Sequence, residues 1–372
     1  MAFSVDYSDD VLLEFSLGEL TGALGDSVTV LPVVVAISLL TDVSLTTLLL
    51  GFAVFQLVWG LHYGLPISVE PMKALAALVI AGSLTASELA VSGLLAGGIL
   101  LAVGTTGTLD RLSRFVGQPV ARGVQLAVGL VLLETGVQLG FEGVFLALAA
   151  TGIAAIVIGI GHFRASALAV LLVGFLFALW EVGLPGVHAP QFELWLPATG
   201  SITPNVLEAT AAQLAMTIGN AAVATSLLLS EYFDSDVSPG ELSTSMGVMN
   251  LTAIPFGAMP MCHGSGGVAG KYAFGARTAG SNVILAGVYA GIAVVAVDLL
   301  VAFPVSMLGV VLALIAIELG RAALDTDHLP MTLAIGALGL LANVGVAFIA
   351  GVIAYILVRR RANGTVTATS PK

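Results

Sequence analysis

An all-α polytopic membrane fold is predicted, with about fourteen transmembrane segments as seven plus seven inverted repeats and two broken half-helices meeting at the midplane. Three observations predict it. The 372 residues are 58% hydrophobic and 9% charged, against about a quarter charged in soluble globular domains. Apolar stretches long enough to cross hydrocarbon as helices recur from Phe15 almost to the C-terminus, which leaves no room for a sizeable soluble domain. Two proline-interrupted segments, one in each half, carry polar and ionisable residues where the surrounding sequence is apolar.

The N-terminus "MAFSVDYSDD" is acidic and lacks the basic region and small-residue cleavage site of a signal peptide, so the first helix is expected to persist. Gly, Pro and charged residues punctuate the apolar runs into spans near 15–40, 44–60, 62–82, 87–106, 118–138, 142–161 and 164–182. A second set follows near 206–230, 241–256, 258–276, 279–298, 302–320, 328–342 and 343–358. The last pair shares only the run from His328 to Val358, so its members must be short or tilted, or form one long helix.

Positive charge tests this count, because Lys and Arg collect in cytoplasmic links. Arg111, Arg114 and Arg122 flank the link after span four, Arg164 follows span six, Arg277 span ten and Arg321 span twelve. Arg359, Arg360, Arg361 and Lys372 follow the last span. The long odd-numbered link at 183–205 has no Lys or Arg. Both termini are therefore expected in the cytoplasm, with the chain multi-pass in the cell membrane; twelve spans would keep the same parity.

The net charge of −11 excludes nucleic acid as a partner, since no basic face exists to neutralise phosphates. With only three lysines (Lys73, Lys271 and Lys372), it also suits the acidic protein surfaces of a salt-loving organism. The lone cysteine, Cys262, excludes an internal disulfide framework.

An odd number of spans per repeat inverts the second copy, so the two halves can be compared directly. A shift of 194 residues places "GALGDSV" (22–28) over "MTIGNAA" (216–222) and "GLPISVEPMKA" (64–74) over "AMPMCHGSGGV" (258–268). Gly25 then meets Gly219, Asp26 meets Asn220, and Pro66 meets Pro260. The repeats are assigned to residues 1–198 and 199–372.

In "PISVEPMKAL" (66–75), Pro66 to Val69 reads as extended, with Ser68 in that run, Glu70 near an N-cap, Pro71 in the first helical turn and Met72 onward helical. In "MPMCHGSGGVAGKYAFG" (259–275) the corresponding helix starts near Gly264 or Ser265, and Gly264, Gly266 and Gly267 leave room for close approach to the backbone. A helix broken at mid-depth exposes amides that need protein, a cavity or a ligand. Two opposed N-termini form a ready anion site, to which Ser265 adds a hydroxyl and Lys73 a full positive charge. The expected ligand is a small oxyanion.

Glu70 would repel a dianion unless it is protonated when the anion binds, which would carry a proton with the substrate. The alternative is a Glu70–Lys73 pair that neutralises itself. Asp26 and Asn220 lie mid-span, and Glu19 and Gln213 form a second related pair toward the helix starts; Asp26 and Glu19 are expected to line the site, the alternative being hydrogen bonds between helices. Glu70, Glu19, Asp26 and His263 are the proton-coupling candidates. Cys262 and His263 are adjacent, which is poor ligand spacing, so neither a metal nor a cofactor is expected. Lys271 either tunes the site or snorkels to the cytoplasmic surface. Glu134 and Glu318 are expected at the interface, and "SGLLAGG" (92–98) as helix packing.

The segments "PISVEPMKALAAL", "FGAMPMCHGSGGVAGKYAFGARTAGS", "GELTGALGDSVTVLP" and "AQLAMTIGNAAVATS" together resemble the molybdate transporter family, related to the sulfate permeases. The resemblance implies a core domain (about 15–106 and 206–298) moving against a gate domain (about 118–182 and 302–358). It implies a substrate site between the segments starting at Glu70 and Gly264, beside Asp26 and Asn220. Relatives often carry Gln where this chain has Glu70, which leaves the coupling mode open. The chain runs only from Val358 to Lys372 after its last span, without the C-terminal domain typical of sulfate permeases, which favours molybdate over sulfate.

The function expected is secondary active import of molybdate by alternating access, with the oxyanion between the two half-helix N-termini. The partners are a tetrahedral oxyanion and the lipid bilayer, and a homodimer is compatible with them. The alternatives are a sulfate, tungstate or other small-anion permease, or a passive anion channel on the same fold. No paired catalytic residues or HExxH-type motif point to an enzyme.

Overall fold

The computed structural model describes residues 3–7, 11–109, 117–187, 190 and 202–368. Arg111 and Arg114, most of the link at 183–205, and Lys372 lie outside the described residues. The chain opens with two strands that the all-α expectation leaves out: β1 (Phe3–Tyr7) and β2 (Val11–Phe15) pair antiparallel, Phe3 opposite Phe15.

α1 (Leu17–Leu40) begins at Ser16, whose hydroxyl accepts the Glu19 N–H. α2 (Leu45–Tyr63) stops at Gly64, which takes a left-handed φ of 65° that favours glycine. A short strand β3 (Val69–Pro71) leads into the half-helix α3 (Lys73–Ile80). α4 (Ala86–Thr106) is opened by a reciprocal capping box between Thr85 and Glu88. α5 (Gln118–Phe141), α6 (Val144–Gly159) and α7 (Ser166–Val182) complete the first half.

In the second half α8 (Pro204–Met216) continues through a π-helical stretch, Thr217–Ala224, into α9 (Thr225–Phe233). α10 (Pro239–Ala253) has its own capping box, Ser238 with Glu241. Strand β4 (Met261–His263) leads into the half-helix α11 (Ser265–Ala273). α12 (Gly280–Val295), the short α13 (Val297–Val301) and α14 (Val305–Ala323) follow. The run after His328 forms two helices, α15 (Leu329–Leu341) and α16 (Val344–Ala368).

Among the described residues, seven helical stretches are long and apolar enough to cross a membrane: Leu17–Leu40, Leu45–Tyr63, Ala86–Thr106, Gln118–Phe141, Phe163–Val182, Pro204–Phe233 and Val305–Ala323. Large apolar side chains such as Phe145, Leu148 and Trp180 are exposed, as a lipid-facing surface requires.

Lipid is as apolar as leucine, so helices associate here through close packing at small residues. α4 lies on α10, where a Cβ at Gly93 would overlap Pro260 and Ile254, and one at Gly97 would overlap Asn250. α2 meets α12 at Gly60, whose missing Cβ leaves room for Asn282. α5 packs on α14 and α15, and at Gly136 and Gly309 a Cβ on either residue would meet the other's carbonyl oxygen. Gly309→Ala is expected to destabilise the purified protein by about 1–3 kcal/mol, the usual cost of overpacking. Gly320→Ala, where no atom lies within 4 Å, is the control expected to leave the melting temperature unchanged. Equal melting temperatures for the two variants would contradict the tight α5–α14 contact.

Candidate functional site

The two breaks pair with each other. β3 and β4 run antiparallel, with Val69 opposite His263, Glu70 opposite Cys262 and Pro71 opposite Met261. The Met72 N–H then donates to the Pro260 carbonyl at 2.9 Å. Asn250 holds the ribbon from α10, its amide bonding both the N–H and the C=O of Met261 at 2.7 Å. Because the ribbon is antiparallel, α3 and α11 leave it in opposite directions. Pro71 closes the strand instead of opening the helix: α3 starts at Lys73, with Met72 as its N-cap. The strand runs this far because Met261 and Pro260 supply partners beyond Glu70.

Glu70 is buried and its carboxylate accepts from Lys73 Nζ at 2.7 Å. Ser68 Oγ donates to Asp26 Oδ1 at 2.5 Å and lies 3.4 Å from Glu70 Oε1. The glycines of the second segment make this assembly fit. A Cβ at Gly264 would overlap the Glu70 carboxyl, and one at Gly267 would overlap Ser68 Oγ, Asp26 Oδ1 and Glu70 Oε1. Ser265 Oγ donates to Asn220 Oδ1 at 2.6 Å, so each half has a serine from its break bonded to a polar residue of its neighbouring long helix.

The two half-helix ends differ in what their amides do. At α3, Gln213 Oε1 accepts the Ala74 and Leu75 N–H groups at 2.9 and 3.3 Å. At α11, the Ser265, Gly266 and Gly267 N–H groups have no acceptor among the described residues. Gly266 is exposed, and no atom lies within 4 Å of where its Cβ would be. A cavity of about 340 Å³ between α5 and the π-helical stretch reaches this side of the site at Asn220.

Glu19, and one of the two alternatives for Lys271, also need correction. Glu19 lines no part of this site: its carboxylate accepts the N–H groups of Arg277, Thr278 and Ser281 at 2.8–2.9 Å and so caps the entry to α12. Lys271 does not snorkel, being fully buried with Asp26 Oδ2 3.2 Å from its Nζ. That Nζ also faces Gln56 Oε1 at 3.1 Å, the Ile67 carbonyl at 2.7 Å and Asn282 Oδ1 at 3.0 Å. Gln56 Nε2 donates to Asp26 Oδ2 at 2.8 Å, and Asn282 Nδ2 donates to Gln56 Oε1 and to Ile67 O, each at 2.7 Å. Sequence reasoning missed Gln56 and Asn282. Their signal was an amide side chain inside an apolar span, which needs a partner there.

His263 is buried between two partners: Nδ1 lies 3.0 Å from the Ser68 carbonyl and Nε2 2.7 Å from Ser245 Oγ. A carbonyl only accepts, so Nδ1 carries a proton and the ring pins β3 to α10. Cys262 Sγ faces the Pro71 carbonyl at 3.8 Å. No group of three or more His, Cys, Asp and Glu side chains suited to a metal ion occurs among the described residues.

Solved structures share this architecture. The transmembrane domain of a cyanobacterial bicarbonate transporter, BicA, superposes with a TM-score of 0.62 at 17% identity, covering 95% of this chain and 99% of that one. The murine anion transporter Slc26a9 in its inward-facing state gives 0.67 at 14% identity, covering 96% of this chain and 70% of that one. The chain has the fold of these proteins, with long apolar helices suited to a multi-pass membrane protein.

Residues 18–133 and 205–319 match the family described as "Molybdate transporter of MFS superfamily". Molybdate transporter 2 of Arabidopsis thaliana is 30% identical over 412 residues, spanning 92% of this chain and 87% of that protein. Molybdate transporter 1 of Chlamydomonas reinhardtii is 24% identical over 476 residues, spanning 91% of each chain. The chain belongs to the molybdate transporter family, a family of transporters and not of enzymes.

Removing one member of a buried ion pair strands the other's charge, typically at about 3–5 kcal/mol. Lys271→Met is therefore expected to lower thermal stability by that order, measured by size-exclusion of heated, detergent-solubilised protein. Adding Asp26→Asn should recover much of the loss. A double variant that melts below the Lys271→Met single would contradict the pairing.

Proposed function

We propose that the chain is a secondary active transporter that imports molybdate across the cell membrane by alternating access, with the oxyanion held at the α11 N-terminus. The observation that carries this reading is the row of amides at Ser265, Gly266 and Gly267, without protein acceptors and beside an exposed Gly266. A helix N-terminus with free N–H groups is a natural oxyanion site. Family membership supplies molybdate as the substrate.

The proposal includes about fourteen spans in seven plus seven inverted repeats (residues 1–198 and 199–372), with both termini in the cytoplasm. The match of the family to one stretch in each half supports the repeat. So do the two serine bonds, Ser68 to Asp26 and Ser265 to Asn220. The core would hold about 15–106 and 206–298 and move against a gate of about 118–182 and 302–358. In support, α1, α2, α11 and α12 share the Lys271 network, while α14 and α15 pack on α5.

In this reading Glu70 couples substrate to protons. Its carboxylate occupies Lys73, so a proton on Glu70 releases the ammonium to face the dianion and removes the adjacent like charge.

Radiolabelled molybdate uptake into proteoliposomes tests the reading. A proton gradient is expected to drive accumulation, with tungstate and sulfate as competitors to rank selectivity. Dissipation of a preset molybdate gradient without accumulation would indicate a channel. Glu70→Gln is expected to transport without responding to the gradient; retained dependence would remove Glu70 from the coupling. Replacing Gly266 by Val is expected to raise KM about tenfold or more by blocking approach to the amides, the loss expected for a charge-assisted hydrogen bond. An unchanged KM would place the oxyanion elsewhere.

A further inference from the structure

Arg122 stands about one turn into α5, and the positive-inside pattern explains only which side of the membrane it occupies. Its side chain is 23% exposed and lines the cavity of about 340 Å³ together with Gln118, Gln125, Gly219 and Asn220. Asn220 is the acceptor of the Ser265 hydroxyl, so this cavity touches the first turn of α11 through one residue. Among the described residues lining it, Arg122 is the only charged one.

The guanidinium is held in place but not used up. Nε–H donates to the Asp325 carbonyl at 3.0 Å and Nη1 to Gln125 Oε1 at 3.1 Å. Gln125 is itself buried, which fixes the fork from below. The Asp325 carboxylate stands 3.7 Å from Nη2 but is 87% exposed, so solvent screens its compensation of the charge. A guanidinium has five N–H donors; the remaining ones have no hydrogen-bond partner among the described residues. The volume exceeds what one tetrahedral oxyanion needs, leaving room for several waters at about 30 Å³ each.

We propose that Arg122 is a substrate-binding residue for transport, receiving the oxyanion at the cytoplasmic mouth as it passes between the α11 amides and the cytoplasm. The assignment rests on the transport reading above. A dianion leaving a row of amides needs replacement donors on its way to water, and a planar guanidinium fork suits two oxyanion oxygens. Arg122 sits on α5 and Asn220 on the helix facing it, so the contact serves the face on which this cavity opens. It therefore sets affinity on the cytoplasmic side alone.

Sealed membrane vesicles of both orientations, supplied with radiolabelled molybdate, test this. Arg122→Gln is expected to raise KM about tenfold when molybdate is presented to the cytoplasmic face and to leave KM at the opposite face unchanged. Arg122→Lys should raise it less, since the charge remains and only the fork is lost. The unchanged opposite-face KM reports that the variant is folded. An equal shift at both faces, or none at the cytoplasmic face, would overturn the assignment while leaving the transport reading intact. A wild-type protein that carries no molybdate in either orientation would overturn the transport reading and this assignment with it.

Discussion

The Lys271 ammonium, sealed from solvent and set against Asp26, is the constraint on which the rest of the site depends. A charge in this position is tolerable only when paired and hydrogen-bonded, and Lys271 draws its partners from separate parts of the chain. Asp26 comes from α1, Gln56 from α2, Ile67 from the run before β3 and Asn282 from α12. Each of these elements must arrive for the charge to be compensated. Their meeting fixes where β3 lies, and β3 fixes β4 and both half-helices through the Val69–His263, Glu70–Cys262 and Pro71–Met261 register.

From that anchor the inequality of the two half-helix ends follows. A symmetric reading of the breaks puts two equivalent amide rows around the ligand. Gln213 instead fills the α3 end with a side-chain carbonyl, and Glu70 holds the Lys73 ammonium beside it. The α11 end has glycine at the positions where a side chain would strike Glu70, Ser68 and Asp26, and its amides stay available. Charge in the centre is balanced in two pairs, Asp26 with Lys271 and Glu70 with Lys73. A dianion can enter such a centre only beside donors that carry no acid of their own, which is what backbone amides provide.

Much of this was legible in the sequence because hydrocarbon imposes strong rules. Helix positions follow from apolar length, and the breaks at Pro66–Lys73 and Pro260–Gly267 stand out through proline, glycine and charge. Pro71 was misplaced because a proline suits both an edge strand and a first helical turn, and only the partner strand decides between them. For Lys271, distance along a half-helix does not reveal whether the tip reaches water or a carboxylate. Glu19 and Gln213 align under the 194-residue shift yet cap different helices, α12 and α3, because their neighbours differ. Gln56 and Asn282 carry no charge and so give a weaker signal, though an unpaired amide in a membrane also needs a partner. The π-helical stretch around Asn220 has no compositional mark at all.

The central claim is that the oxyanion binds at the start of α11. A structure of the protein with tungstate, a tetrahedral dianion whose heavy atom marks its own position, tests this most directly. One strong peak is expected, its oxygens within hydrogen-bond distance of the Ser265 and Gly266 amides, with Lys73 turned toward it. A peak at the α3 end with Gln213 displaced, or at neither half-helix end, would contradict it.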